Sequence, residues 1–463
     1  MKILHLFTSL TALLACISVS AQSLAGDWQG RLQVQQASLR IVCHFTQESG
    51  AYSGTMDSPD QGAHGLPMGD VALRDGQLTF TVPQAGIRYT GTLVGDTLLN
   101  GTFMQGATSL PLDMKKTDLQ VKRPQTPRPP FPYSCEEVTI ANAKAGVSLA
   151  GTLTLPAGKK PCRAVILLTG SGTQDRDETL MDHKLFWVIA DHLTRQGIAV
   201  LRCDDRGAGS STGDPAQATT RTSADDAACM LDYLRQRPEI DPARIGLLGH
   251  SEGGAIAFLT AAERPDVDFV VSLAGPGVRG DSVMLKQNLD MARLEGMPEA
   301  KVESLARMLN QLYALSKSDL TGAEVIEQAA QLYEQETGIR TTNLIEQQQQ
   351  RQQLRQQMAV FASPWLRCFL QHDPQKDLAA LRCHVMALNG DRDTQVDAAM
   401  NLGGIRNALT ELPGRQVSLK RYPGLNHLFQ HCQTGLFTEY AQIEETISPE
   451  VLTDISTWVN KLP

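Results

Sequence analysis

Between Lys122 and Pro132 the chain runs Lys-Arg-Pro-Gln-Thr-Pro-Arg-Pro-Pro-Phe-Pro, five prolines in eleven residues. Proline fixes φ and removes a backbone donor, so neither a helix nor the interior of a sheet can pass through this stretch. It should run extended, as a semi-rigid spacer. The 463-residue chain is long enough for a separate core on each side. The sequence is therefore divided into an N-terminal domain at 22–119, a Pro-rich linker at 120–133 and a second domain at 134–463.

The two sides carry different periodicities. Before the linker, short strand-like runs such as Trp28–Val34, Leu39–Phe45, Gln77–Val82, Ile87–Leu93 and Gly101–Met104 alternate with Gly and Asp. That spacing predicts a small all-β domain, either barrel or sandwich. After it, apolar runs at Ala164–Leu168, Ala199–Arg202, Ile245–Leu248, Phe269–Leu273 and Val385–Leu388 alternate with longer amphipathic segments. Such alternation predicts a parallel α/β sheet with helices on both faces. Residues 281–375 interrupt the rhythm. They have no strand pattern and are rich in Leu, Ala, Glu, Gln and Arg, which predicts an inserted group of helices. The Gln-rich part, Glu346–Gln357, reads as a solvated helix face.

Residues 1–21 read as an export signal: Lys2, an apolar stretch from Ile3 to Val19, then small residues at Val19-Ser20-Ala21. This predicts a periplasmic or secreted protein. Leu13-Leu14-Ala15-Cys16 loosely resembles a lipoprotein box, but Leu14 and the apolar residues after Cys16 count against a lipid anchor. No other segment is long and apolar enough to span a bilayer. Eight cysteines remain beyond residue 21 at irregular spacing without CxxC. Several lie in or beside apolar runs, where buried free thiols are expected and no pairing can be deduced. A net charge of -8 with no basic block excludes a non-specific nucleic-acid binder.

The chemistry centres on Gly249-His250-Ser251-Glu252-Gly253, which follows the strand Ile245–Leu248 and precedes the helix-forming run Ala255–Leu259. Between a strand and a helix the glycines permit a turn too tight for side chains, and Ser251 is pushed out as a nucleophile. A serine hydroxyl needs a base, and the base needs an orienting carboxylate. Past the late strand His384–Asn389, Asp391 and Asp393 compete for the acid's place. Asp393 is further into the loop and can turn toward a histidine, whereas Asp391 abuts the strand and suits a bracing role. Only His427 and His431 lie beyond Asp393. His427 follows the last strand, Gln416–Tyr422, and is taken as the base. The i,i+4 histidine pair lacks an acidic third ligand, so no metal and no cofactor is expected. The oxyanion donors should be the N–H of Glu252 and one from the loop after Ala164–Leu168, at Ser171 or Gly172. The charged run Asp175-Arg176-Asp177-Glu178 should ion-pair internally, and Arg206 should meet a nearby carboxylate.

Together Gly170-Ser171-Gly172-Thr173-Gln174-Asp175-Arg176-Asp177, Asp205-Arg206-Gly207-Ala208-Gly209-Ser210, Gly249–Gly254, Asn389-Gly390 with Asp393-Thr394-Gln395-Val396, and Asn426-His427 resemble the α/β-hydrolase superfamily. More closely they resemble its bacterial serine carboxylesterases, over residues 134–463. The resemblance implies an eight-stranded sheet, a helical cap from 281–375, and cleavage of small-molecule esters through an acyl-enzyme. A serine peptidase or an acyltransferase could use the same residues. The front β domain resembles those on some exported bacterial hydrolases, and is expected to bind a ligand or mediate oligomerisation.

Overall fold

The structure, a computed structural model, describes residues 24–463 apart from 35–36, 49, 62, 107, 118–121, 159–160, 338–343 and 410–413. The proposed signal at 1–21 and Cys16 lie outside the described residues. The chain separates into two compact units, 1–120 and 121–463.

The first unit is one antiparallel sheet of ten strands. From Gly26–Val34 it extends one way through Ala37–Glu48, Ala51–Ser58 and Ala63–Pro67. The other way it runs through Met114–Thr117, Leu98–Gln105, Ile87–Val94, Gln77–Val82 and Gly69–Arg74, with Thr108–Pro111 as the tenth strand beside Leu98–Gln105. Gly69–Arg74 packs against Ala51–Ser58, and Met68 N–H reaches the Gly54 carbonyl at 3.0 Å. The sheet therefore curls back on itself like a barrel. Alternate residues point inward along Ile87–Val94, as a two-residue strand period requires. The interior holds Trp28, Phe45, Phe80, Tyr89 and Phe103.

In the second unit we number the sheet strands β1 Tyr133–Asn142, β2 Val147–Pro156, β3 Cys162–Leu168, β4 Ala199–Cys203, β5 Ile240–His250, β6 Phe269–Leu273, β7 His384–Gly390 and β8 Val417–Tyr422. Their order is β1-β2-β4-β3-β5-β6-β7-β8. The β1–β2 and β2–β4 pairings are antiparallel and the rest parallel. Every residue of β3 is buried because both faces are covered. Ala164, Ile166 and Leu168 join one core with the helices Thr220–Arg235 and Glu252–Glu263. Val165 and Leu167 join the other with Leu185–Arg195 and Pro449–Lys461. Parallel strands flanked by helices read as continuous apolar runs for this reason.

Between β6 and β7 six helices are inserted, from Gly280–Leu294 to Pro374–Ala380, slightly beyond the expected 281–375. They carry small cores of their own, one around Leu312, Ala329 and Leu354, another around Leu309, Tyr313 and Leu370. The helix Pro364–Gln371 starts with Pro at its first turn, and the Ser363 hydroxyl accepts the Leu366 N–H. Among the described residues no helix is long and apolar enough to cross a membrane, and the eight described cysteines are free thiols.

The linker differs from the expected spacer. Arg123 donates to the carbonyls of Met181, Ala441 and Ile443, and Gln125 bonds Thr446 and Ile447. Two polar side chains between the prolines thus fasten its first residues to the second unit.

Candidate active site

Ser251 sits between β5 and the helix Glu252–Glu263 with φ 54° and ψ -125°, a region that a non-glycine residue occupies only when its surroundings impose it. The Ser251 N–H is held by the Leu273 carbonyl at 2.8 Å. A Cβ on Gly249 would strike the Gly253 carbonyl, and one on Gly253 would strike the Leu168 carbonyl of β3. These contacts are why the motif needs glycine on both sides. Ser251 is half-buried and faces a cavity of about 310 Å³.

His427 lines the same cavity, from the loop after β8. Its Nδ1 lies 2.7 Å from Asp393 Oδ2, and both side chains are buried. The other Asp393 oxygen accepts the Gln395 and Val396 N–H groups, each at 2.8 Å, which locks the carboxylate in the turn after β7. Asp391 instead accepts the Gly424 N–H at 2.7 Å and braces the neighbouring loop. His431 pairs with Glu445 at 2.8 Å, with two-thirds of its side chain exposed. The structure thus brings Ser251, Asp393 and His427 together and leaves Asp391 and His431 outside the group.

The loop after β3 lies against the nucleophile: a Cβ on Gly170 would sit 3.2 Å from Ser251 Cβ. Three carboxylates hold it. Glu178 accepts the Gly170 N–H at 2.7 Å. Asp205 accepts the Thr169 hydroxyl at 2.8 Å and the Gln174 N–H at 2.9 Å. Glu252 accepts the Ser171 hydroxyl at 2.7 Å. Burial pushes the Asp205 carboxyl up to about 7, with Glu178 and Glu252 adding to the effect against its two hydrogen bonds. Among the described residues no acceptor takes the N–H of Ser171, Gly172 or Glu252. These three remain available to a developing negative charge, and the Glu252 N–H opens a helix whose dipole favours one.

Several site residues escape the sequence reading. The Glu252 carboxylate also accepts the Thr220 hydroxyl at 2.6 Å and the Trp365 indole N–H at 2.8 Å. Trp365 belongs to the inserted helices, so the residue after the nucleophile ties the cap to the sheet edge. His250 lies beside His427, ring centroids 4.7 Å apart, and contacts Glu178 at 3.0 Å. Burial opposes its charge, but the Glu178 carboxylate and the His427 carbonyl hold its pKa above the ordinary histidine value. The only prior signal was position: His250 occupies the variable place in the pentapeptide. The charged run pairs with residues outside it rather than within itself as expected, whereas Arg206 meets a carboxylate as expected. Arg176 pairs with Asp204 and Glu137, Asp177 with Arg202 and Lys184, and Arg206 with Asp226.

The cavity's remaining walls are Leu180, Leu185, Leu428 and Phe437 from the sheet side, with Val283, Met284, Trp365 and Phe369 from the insertion. Trp365 and Phe369 stack with centroids 5.8 Å apart. Among the described residues no cluster of His, Cys, Asp or Glu could hold a metal ion.

A strand-to-helix serine on an eight-stranded, mostly parallel sheet with a helical insertion defines an α/β hydrolase. The chain belongs to the serine aminopeptidase S33 family, whose model matches residues 183–431, more than half its length. It is 36% identical to esterase EstD of Thermotoga maritima over 141 residues, 30% of this chain and 33% of that protein. It is 31% identical to the uncharacterized protein YfhR of Salmonella typhimurium over 125 residues, 27% of this chain and 40% of the other. The aligned segments thus span well under half the length of either relative. A solved esterase of Pyrococcus furiosus superposes with a TM-score of 0.43 at 15% identity, covering 71% of this chain and 92% of that one. The fold is thus that of the α/β hydrolases to which this family belongs.

Proposed function

We propose that the protein is an exported esterase that cleaves small carboxylic esters through an acyl-enzyme on Ser251. The observation that carries this reading is the buried 2.7 Å contact between His427 and Asp393 in the cavity that Ser251 faces. His427 takes the Ser251 proton as the serine oxygen attacks the ester carbonyl. The N–H groups of Glu252 and of Ser171 or Gly172 receive the oxyanion, and Asp393 orients the imidazolium. His427 then protonates the departing alcohol. Water, deprotonated by the same histidine, releases the acid.

An ester is favoured over a peptide because the acidic residues near the site already have partners within the chain. Asp177 is paired with Arg202 and Lys184, Asp175 accepts the N–H groups of Asp177 and Thr179 on one oxygen, and Glu178 meets His250 through one oxygen. These contacts weaken their pull on a peptide's amino terminus. Export rests on the pattern of residues 1–21 and is checked by sequencing the N-terminus of the mature protein from the periplasm or medium. The function is tested by assaying wild type and Ser251→Ala side by side on aryl esters of graded acyl length and on aminoacyl anilides. The expected result is turnover of short and medium esters over anilides, lost in the variant. Turnover of anilides over esters would overturn the ester reading.

A further inference from the structure

A second histidine–carboxylate pair lies beside the first, and the mechanism above makes no use of it. His250 closes β5, one residue before Ser251, and is 4% exposed. Its Nδ1 is 3.0 Å from Glu178 Oε1 and its Nε2 is 3.0 Å from the backbone carbonyl of His427. A peptide carbonyl can only accept, and an ionised carboxylate can only accept, so each ring nitrogen faces an acceptor. Two acceptors about one ring favour its charged form, which the Glu178 carboxylate and the His427 carbonyl stabilise against burial.

The same Glu178 oxygen accepts the Gly170 N–H at 2.7 Å. One connected path thus runs from the loop bearing Ser171 and Gly172, through Glu178 and His250, to the backbone of His427. It passes through the residue adjacent to the nucleophile. The titratable groups around the His250 ring are Glu178 from the loop after β3, Asp393 from the loop after β7 and His427 from the loop after β8. Two anions and no second fixed cation face it, which suits a permanent positive charge. Glu178 itself takes a positive φ of 49° to reach this place, a conformation that a non-glycine residue keeps only when its surroundings impose it.

We propose that the His250–Glu178 ion pair is a positioning device for the reaction, fixing the oxyanion loop and the base loop in one register about Ser251. The inference rests on the proposed roles of Ser251, Asp393 and His427. The pair touches no substrate in this scheme. It acts by holding the carbonyl of His427 and the N–H of Gly170, so that the base and the free donors of the adjacent loop stay aligned as charge develops. A displacement of about 1 Å in such an arrangement costs on the order of 100-fold in rate, while ground-state binding in the apolar walls is left largely alone.

The test combines kinetics with a direct view of the proton. His250→Asn and Glu178→Gln should each lower kcat by about 10- to 100-fold with KM changed by less than about threefold. The double variant should lose little more than the worse single one, because the two residues act as one path. Kinetics that leave kcat intact in folded variants, or losses that multiply in the double variant, would overturn the proposal. In the wild-type protein, nitrogen NMR of ring-labelled histidine at pH 8 should show an imidazolium that vanishes in Glu178→Gln. His44, raised to about 9 by Asp57 and Asp27 against its partial burial, supplies a second such signal that Glu178→Gln leaves in place. The NMR arm uses wild type as its main sample, so it stands even if His250→Asn does not fold. A neutral His250 would overturn the proposal. Should the triad assignment itself be wrong, Ser251→Ala would keep its activity while the His250 signal persisted, which separates the two failures.

Discussion

The loops at the carboxyl edge of the parallel sheet and the helices inserted between β6 and β7 line one cavity, but they shape it by different means. The loops place Ser251, Asp393 and His427 by turn geometry: a glycine-flanked strained residue, a carboxylate pinned by two N–H groups, a histidine directed at it. The insertion contributes mostly apolar side chains, with Gln287 among them, and a polar tie, the Trp365 indole on Glu252. The three loop positions that carry these groups should therefore be intolerant of any change in chemistry. Insertion positions should be tolerant of chemistry and sensitive to volume.

The sharpest division lies within one loop. Asp393→Asn should lower kcat/KM by about a thousandfold or more, because the wrong histidine tautomer is then favoured. Asp391→Asn, two residues earlier, keeps an acceptor for Gly424 and should stay within about threefold of wild type on the same chromogenic ester.

Under the oxyanion loop, desolvation pushes the half-buried Asp205 carboxyl up to about 7 from its ordinary 3.8. Between those values the folded chain binds the extra proton, so Asp205's contribution is complete below about pH 4 and is lost as pH rises through about 7. Unfolding free energies measured from pH 4.5 to 7.5 should fall with a slope of at most about 1.4 kcal/mol per pH unit from this residue. Asp205→Asn should flatten that slope. An unchanged slope would mean that the carboxyl is already ionised in the folded protein.

On the insertion side, Trp365→Phe removes one hydrogen bond to a charged acceptor while Ser171 and Thr220 keep theirs. A bond of this kind is worth about 1.5 kcal/mol, so kcat should fall by about tenfold at most. A loss as large as that of Asp393→Asn would erase the distinction between the two regions. A smaller effect than that of Trp365→Phe is expected from Met284→Ala, which enlarges the cavity. Each additional methylene accommodated contributes about 0.8 kcal/mol, so the preference among acyl lengths should shift toward longer chains by about fourfold per carbon. An unchanged acyl series would remove Met284 from the acyl-binding wall.

The same contrast explains what the sequence revealed. Ser251, Asp393 and His427 each follow an apolar strand and stand among turn residues, so their roles are written within a few positions of each residue. The strand Phe269–Leu273 was legible to the residue for the same reason. Partnerships across the chain leave no local mark. Glu178 and His250 are 72 residues apart, Glu252 and Trp365 are 113, and Arg123 meets Ile443 across 320. Trp365 on its own helix is only an apolar residue beside a cap. In the front unit, strands such as Ala51–Ser58 and Gly69–Arg74 were not legible, because Gly, Ser and Asp break the apolar alternation and they pair as part of a curled sheet.

The central claim is that Ser251 is the nucleophile, driven by His427 and Asp393. It is tested most directly by incubating the protein with a fluorophosphonate and mapping the adduct by peptide mass spectrometry. The account predicts one adduct per chain, on the peptide containing Ser251, abolished in Ser251→Ala and formed far more slowly in His427→Ala. An adduct on another serine, or undiminished labelling of Ser251→Ala, would contradict it.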